Sequence, residues 1–201
     1  MHLTKTTIKE DNNMSKKHPT KCTTGARTRC SYLNINAPKA YGDGKPKFSA
    51  SLIIPKDDVA TLNKIDAAMR AAYEDGVSIL KGKGRTIPTY EEIIKDGPLH
   101  DGDKKKDGDP AYQNAFYLNA KNERRPGVVD SNKNEILDSS ELYSGIYAKA
   151  AIGFYCYNKN GNRGIGVSLD YLMKMADGQP LGSTISVDEA FGDEDEDDFL
   201  S

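Results

Sequence analysis

Residues 45–54 set the first clear pattern. Phe48, Ala50, Leu52 and Ile54 fall on one face, and Lys47, Ser49, Ser51 and Ile53 on the other. That is a strand with one buried side, ended by Pro55. Residues 21–36 read as an earlier strand region, with Arg27 and Arg29 alternating against Ala26, Thr28, Cys30 and Tyr32. Between the two, residues 37–44 hold Pro38, Gly42, Asp43 and Gly44, a turn-rich connection. After Pro55 the period changes. Val59, Leu62, Ile65, Met69, Ala72, Tyr73, Val77 and Leu80 recur at helical spacing, which predicts a helix to about Leu80 with one apolar face. Asp57 or Asp58 is its cap, and Gly76 weakens its end.

Residues 82–110 are loop-rich, with a short helix expected over 90–95. The charged segment 101–109 reads as an exposed loop. The second half returns to period two. Residues 115–121 form a strand, with Phe116, Leu118 and Ala120 inward and Tyr117, Asn119 and Lys121 outward. Residues 126–130 and 135–138 suggest a hairpin about the turn 131–134. A long strand over 143–157 and another over 165–175 flank a turn containing Asn160-Gly161. The chain therefore reads as mainly β with an inserted α-helix, and an OB-fold-like barrel is the leading architecture. The expected organisation is an N-terminal arm over 1–20, a barrel domain over 21–182 and a flexible acidic tail over 183–201.

Charge sharpens this picture. The net charge of −2 conceals an asymmetry, because eight of the thirty acids follow position 187 with no Lys or Arg among them. Residues 1–187 thus carry 28 basic against 22 acidic side chains. A basic body beside an acidic tail is the arrangement of a polyanion binder that screens itself. The run Asp193-Glu194-Asp195-Glu196-Asp197-Asp198 leads into Phe199-Leu200. A tail serving solubility alone gains nothing from exposing that apolar pair. Asp197, Asp198, Phe199 and Leu200 are therefore the candidate docking element for a polymerase, helicase or recombinase.

The long strand supplies the candidate chemistry. Ile146, Ala148, Ala150, Ile152, Phe154 and Cys156 share a core face; Tyr147, Lys149, Ala151, Gly153, Tyr155 and Tyr157 share the other. Tyrosines separated by small residues can stack on unpaired bases while lysine meets phosphate. The alternative use of this face is packing beneath a second layer, the helix over 57–80 being available for it. Tyr117 and Lys121 repeat the interleaving, Arg124 and Arg125 follow at once, and Arg27, Arg29, Lys45 and Lys47 extend it on the early strands. The candidate stacking residues are Tyr117, Tyr147, Tyr155 and Tyr157. The candidate phosphate contacts are Arg27, Arg29, Lys47, Lys121, Arg124, Arg125 and Lys149.

Several ordered segments together resemble a phage family once catalogued as a domain of unknown function and now regarded as single-stranded DNA-binding. They are Pro46-Lys-Phe-Ser-Ala-Ser-Leu-Ile-Ile-Pro55, Arg125-Pro-Gly-Val-Val-Asp130, Tyr143-Ser-Gly145, Asn160-Gly-Asn-Arg-Gly164 and Asp177-Gly-Gln-Pro-Leu-Gly182. The family is similar in architecture to the bacteriophage T7 single-stranded DNA-binding protein, an OB-fold with an inserted helix and an acidic tail. The resemblance covers residues 25–201. It implies coating of single strands in phage replication or recombination, in the host bacterial cytoplasm. It brings no residue-level list of contacts, so the site residues rest on the alternation. Residues 1–20 lie outside the pattern, and Met14 is an alternative start.

Other signals point away from catalysis. Asp130, Asn132, Asn134, Asp138 and Glu141 sit at calcium-loop spacing, but Glu135 stands where the loop needs glycine. The aspartates of 101–109 alternate with lysines rather than converging. The three cysteines are odd in number and widely spaced, which suits a reducing compartment. No metal and no cofactor is expected, and the oligomeric state is left open, a homo-oligomer included. Two other classes stand beside the main reading: a protein-interaction adaptor or DNA-mimic inhibitor acting through its tail, and a nuclease using the aspartate-rich loop.

Overall fold

The computed structural model describes residues 19–182, apart from 41, 43, 82, 84, 85, 107 and 160. The acidic tail and residues 1–18 lie outside it. Eight strands make one sheet: β1 Lys21–Thr23, β2 Arg29–Lys39, β3 Lys47–Pro55, β4 Leu99–Asp101, β5 Ala115–Asn122, β6 Gly127–Val129, β7 Tyr147–Lys159 and β8 Asn162–Ala176. Their order is β4-β5-β3-β2-β7-β8-β6, with β1 paired to β7. The path bends back on itself. The Asn122 side-chain amide on β5 donates to the Leu169 carbonyl on β8 at 3.1 Å, joining the two arms into a barrel.

The alternation read from the sequence determines which side chains fill it. Ala50, Leu52 and Ile54 of β3, Leu118 and Ala120 of β5, Ile146 just before β7, and Ala148, Ala150, Ile152 and Phe154 of β7 are all buried in one core. From β8, Ile165, Val167, Leu169 and Leu172 join them. The step from Leu169 to Leu172 skips the period, because the β7–β8 register shifts between Ala151 and Ile152. This bulge turns Tyr171 to the outer face.

Helix α1, Val59–Lys81, packs against the sheet through Ile65, Ala68, Met69, Ala72 and Leu80. Asp58 receives the Thr61 amide at 3.2 Å and caps it. Val59, expected on the apolar face, is exposed. Gly76, expected as a weak point, is instead a contact point: a Cβ there would stand 2.4 Å from Cys156 Cβ. The helix thus lies against the core face of β7, and the tyrosine face on the other side stays uncovered by it. The tip of the β7–β8 hairpin caps the helix end. Asn158 Nδ2 donates to the Ile79 carbonyl at 3.1 Å and Arg163 Nη1 to the Leu80 carbonyl at 3.2 Å, satisfying groups that a helix C-terminus leaves open.

Three expectations change. The first strand region is two strands, broken where Thr24 and Thr28 are buried in a turn. The segment 126–138 is not a regular hairpin. β6 runs parallel to β8, with Gly127 opposite Tyr171, and only a single bridge links Val129 to Glu135. The segment 101–109 is not simply a solvated loop. Gly102–Lys105 forms α3, and Lys56 Nζ bridges Asp101 and Asp103, each at 2.8 Å. α2, Tyr90–Ile94, carries a full capping box from Thr89 and Glu92. Among the described residues no helix is long and apolar enough to cross a membrane.

Candidate nucleic-acid interface

The outer face of the barrel carries an open groove at one end. Tyr155 and Tyr157 of β7 form one wall, while Asn119 and Lys121 of β5 and His100 of β4 face them across about 600 Å³. A second stretch of about 520 Å³ continues from it, lined by Lys39, Lys45, Ser49 and Glu123. Lys47, Lys121 and Lys159 line both stretches. The two stretches therefore have five lysines against two acids, Asp96 and Glu123, and Glu123 sits 3.4 Å from Lys47 Nζ. Lys45, Lys121 and Lys159 make no ion pair with a carboxylate among the described residues.

Glycines determine how the tyrosines present themselves. The β7–β8 register places Tyr155 opposite Gly166 and Tyr157 opposite Gly164. A Cβ at Gly166 would lie 2.6 Å from Tyr155 Cζ, and one at Gly164 would lie 2.9 Å from the Tyr157 hydroxyl. Each ring therefore lies down across the bare backbone of the next strand, leaving one face to solvent. The rings remain 45% and 36% exposed. A flat, supported aromatic face next to lysine ammonium groups suits an unpaired base and its phosphate. His100 adds an aromatic edge. Burial, followed by the nearby Lys105, holds its imidazole below the ordinary histidine value, with Asp96 opposing.

The other sequence candidates are dispersed. Tyr117 does not present a stacking face: it is buried, edge-on to Tyr112 at 5.1 Å between ring centroids and 5.1 Å from His100. The segment following α3 folds over this part of the sheet, and Tyr112 covers Ser51, Ile53 and Tyr117. Arg27, Arg29 and Tyr147 gather at the far end of the same face, in a separate hollow with Ile53, Pro55 and Asn114. Arg27 pairs with Asp57 at 3.0 Å. Arg29 acts as a clamp: it donates to the carbonyls of Gly145 and Gln179 at 3.3 and 2.6 Å and lies over the Tyr147 ring. Arg125 donates to the Ile35 carbonyl at 3.1 Å, while Arg124 is exposed in the connection between β5 and β6. Lys149 is half-buried midway along β7. Asp197, Asp198, Phe199 and Leu200 lie outside the described residues.

Sequence reasoning passed over Lys39, Lys159 and His100. They reach the groove from strand ends and from β4, which no local pattern relates. It also passed over Tyr32, which is 58% exposed at a positive φ of 46°, with Lys106 Nζ 5.3 Å from its ring. Asp130 accepts from the Asn132 and Asn134 amides, which makes a turn of the calcium-like loop, and the Asn134 side chain and amides hold its carboxyl below the usual range. Among the described residues no three His, Cys, Asp or Glu side chains converge as a metal site requires.

Residues 20–200 match the sequence model of a family described as the Enterobacter phage Enc34 ssDNA-binding protein. A putative protein, p50, of Acyrthosiphon pisum secondary endosymbiont phage 1 is 31% identical over 156 residues, covering 74% of this chain and 80% of that protein. Among solved structures, the bacteriophage Enc34 single-stranded DNA-binding protein in complex with ssDNA superposes with a TM-score of 0.68 at 22% identity, covering 81% of this chain and 90% of that one. The single-stranded DNA-binding protein gp2.5 encoded by bacteriophage T7 superposes at 0.54 and 17% identity, covering 90% and 98%. The barrel with its one main helix is thus the OB-fold-like architecture of these proteins.

Proposed function

The chain belongs to the family of the Enterobacter phage Enc34 single-stranded DNA-binding protein, and we propose that it binds single-stranded DNA, non-catalytically, through the lysine-lined groove. The observation that carries this reading is the pair of tyrosine rings supported on Gly166 and Gly164 beside Lys47, Lys121 and Lys159. Bases stack on the rings, and phosphates follow the lysines. Stacking on π-faces tolerates any base, so the groove tracks a strand without reading its sequence. A duplex keeps its bases paired and stacked inside, so it offers the rings nothing. The role that fits is coating of exposed strands during phage replication or recombination in the host cytoplasm. The acidic tail competes with DNA for the lysines. Its Asp197-Asp198-Phe199-Leu200 end recruits a replication or recombination protein once DNA has displaced it.

Fluorescence anisotropy with labelled oligo-dT and a matched duplex, across a salt series, tests the groove. Five lysines meeting phosphate give a log–log salt slope of up to about −3.5 on a single strand. The expected result is strand preference with a slope of that order. No preference for the single strand, or none of this salt dependence, overturns the groove reading. The same titration on a chain truncated after Val187 tests the tail. Affinity at low salt is expected to rise, with the gain fading as salt screens the tail's charges. Unchanged or weaker binding would set aside competition while leaving the groove intact.

A further inference from the structure

The outer face of the hairpin does not end at the groove. The bulge at Asp170 turns Tyr171 outward, opposite Ala151, where it is 59% exposed. Its ring repeats the arrangement seen at Tyr155 and Tyr157. A Cβ at Gly127 would stand 2.4 Å from Tyr171 Cε1, so the ring lies across the backbone of β6 and is supported from beneath. Between Tyr155 and Tyr171 the hairpin itself carries only the small residues Gly153, Ala151 and Ser168, and the Lys21 side chain crosses over Gly153, adding a cation to this stretch. Asp170, the acid beside Tyr171, is already paired with Lys21 Nζ at 2.8 Å.

Cations run alongside. The β5 side chain Lys121 lies in the groove, and Asn122, its neighbour, is bonded to Leu169 of β8. Gly127 of β6 pairs with Tyr171. Arg124 falls between these two anchors in the chain and is exposed, and the acid next to it, Glu123, is paired with Lys47. The supported rings on the β7–β8 hairpin are therefore flanked on the β5–β6 side by Lys121 and Arg124.

We propose that Tyr171 is a third base-stacking residue and Arg124 its phosphate partner, so that the single-strand path leaves the groove and continues along β8. The inference rests on the groove reading above and extends it to a longer occluded site. A Tyr171 subsite is reached only by a strand long enough to pass beyond Tyr155. Its loss must therefore depend on oligonucleotide length.

The test compares oligo-dT of about 4 and about 16 nucleotides, the range of site sizes for one barrel of this kind, on full-length protein. Tyr171→Ala and Tyr171→Leu are expected to lower affinity for the long strand on the order of 10-fold and to leave the short strand unchanged. Tyr171→Phe is expected to keep both. Leucine covers Gly127 as an apolar side chain but offers no ring, so it separates stacking from support. Unaltered long-strand affinity in Tyr171→Ala, or full retention in Tyr171→Leu, overturns the proposal. Lys47→Ala/Lys121→Ala is the companion variant, and it should weaken both lengths. If it does so while the Tyr171 variants bind normally, the groove stands and the extension fails. If wild-type protein binds neither strand, the groove reading itself has failed.

Discussion

Replacing Tyr155 and Tyr157 together by alanine is expected to weaken single-strand binding on the order of 100-fold. Stacking contributes roughly 1–3 kcal/mol per base, and neighbouring rings on one strand do not contribute independently, so the pair falls toward the lower half of the simple sum. Both rings are partly exposed, and neither belongs to the core. Their removal leaves no internal cavity, only uncovered backbone at Gly164 and Gly166. The cost to the fold should therefore stay within the roughly 0.2–1 kcal/mol typical of a cross-strand pair. The decisive readout is anisotropy beside a thermal melt. Lost affinity with a melt close to wild type supports stacking, and the Tyr155→Phe/Tyr157→Phe protein should bind as wild type does. Intact binding by the alanine protein would place the strand elsewhere on the barrel.

The outward placement of these two tyrosines was legible because strand alternation is a local signal. Ile146, Ala148, Ala150, Ile152, Phe154 and Cys156 are buried, and the intervening positions are open to solvent in part or in full except Gly153, which Lys21 covers. The glycine supports were not legible: Gly164 fell outside the strand expected over 165–175, and it is the pairing register of β7 with β8 that puts Gly164 and Gly166 opposite the rings. Tyr117 obeys the same alternation and is still covered, because Tyr112 arrives from a segment whose charged composition suggested solvent. Composition missed that Lys56 neutralises Asp101 and Asp103 and lets α3 fold beside β5. Arg29 looked like a phosphate contact, but its Nε and Nη2 donate to carbonyls 116 and 150 residues away in sequence. Tyr171 escaped because a bulge moves it to the outer face, and a bulge breaks the very period that locates strand faces. Periodicity identifies faces. What covers a face depends on contacts between distant segments.

Gly76 poses the sharpest conflict between local and tertiary preference, and Gly76→Ala is expected to destabilise the protein by up to about 2 kcal/mol, the overpacking cost less the helix-propensity gain. Helix propensity alone predicts the opposite sign, since alanine is favoured over glycine by roughly 0.8–1 kcal/mol in a helix interior. Against that stands packing. The new methyl would sit 2.4 Å from Cys156 Cβ and 2.5 Å from its Sγ, with the Cys156 Cα at 3.6 Å. Overpacking of this kind typically costs 1–3 kcal/mol, and here it pushes α1 away from β7. It also strains the bond from the Cys156 thiol to the Ala72 carbonyl, now 3.2 Å. Trimming the thiol alone would not relieve it, because the nearest atom is Cβ. Cys156→Gly would, at its own cost in the strand. A double-mutant cycle by chemical denaturation separates the two terms. Gly76→Ala should be destabilising in the wild-type background and neutral or stabilising once Cys156 is glycine. If the substitution stabilises both backgrounds equally, the helix does not rest on β7 at this point, and the sequence-based expectation of a weak helix end would be the better account of Gly76.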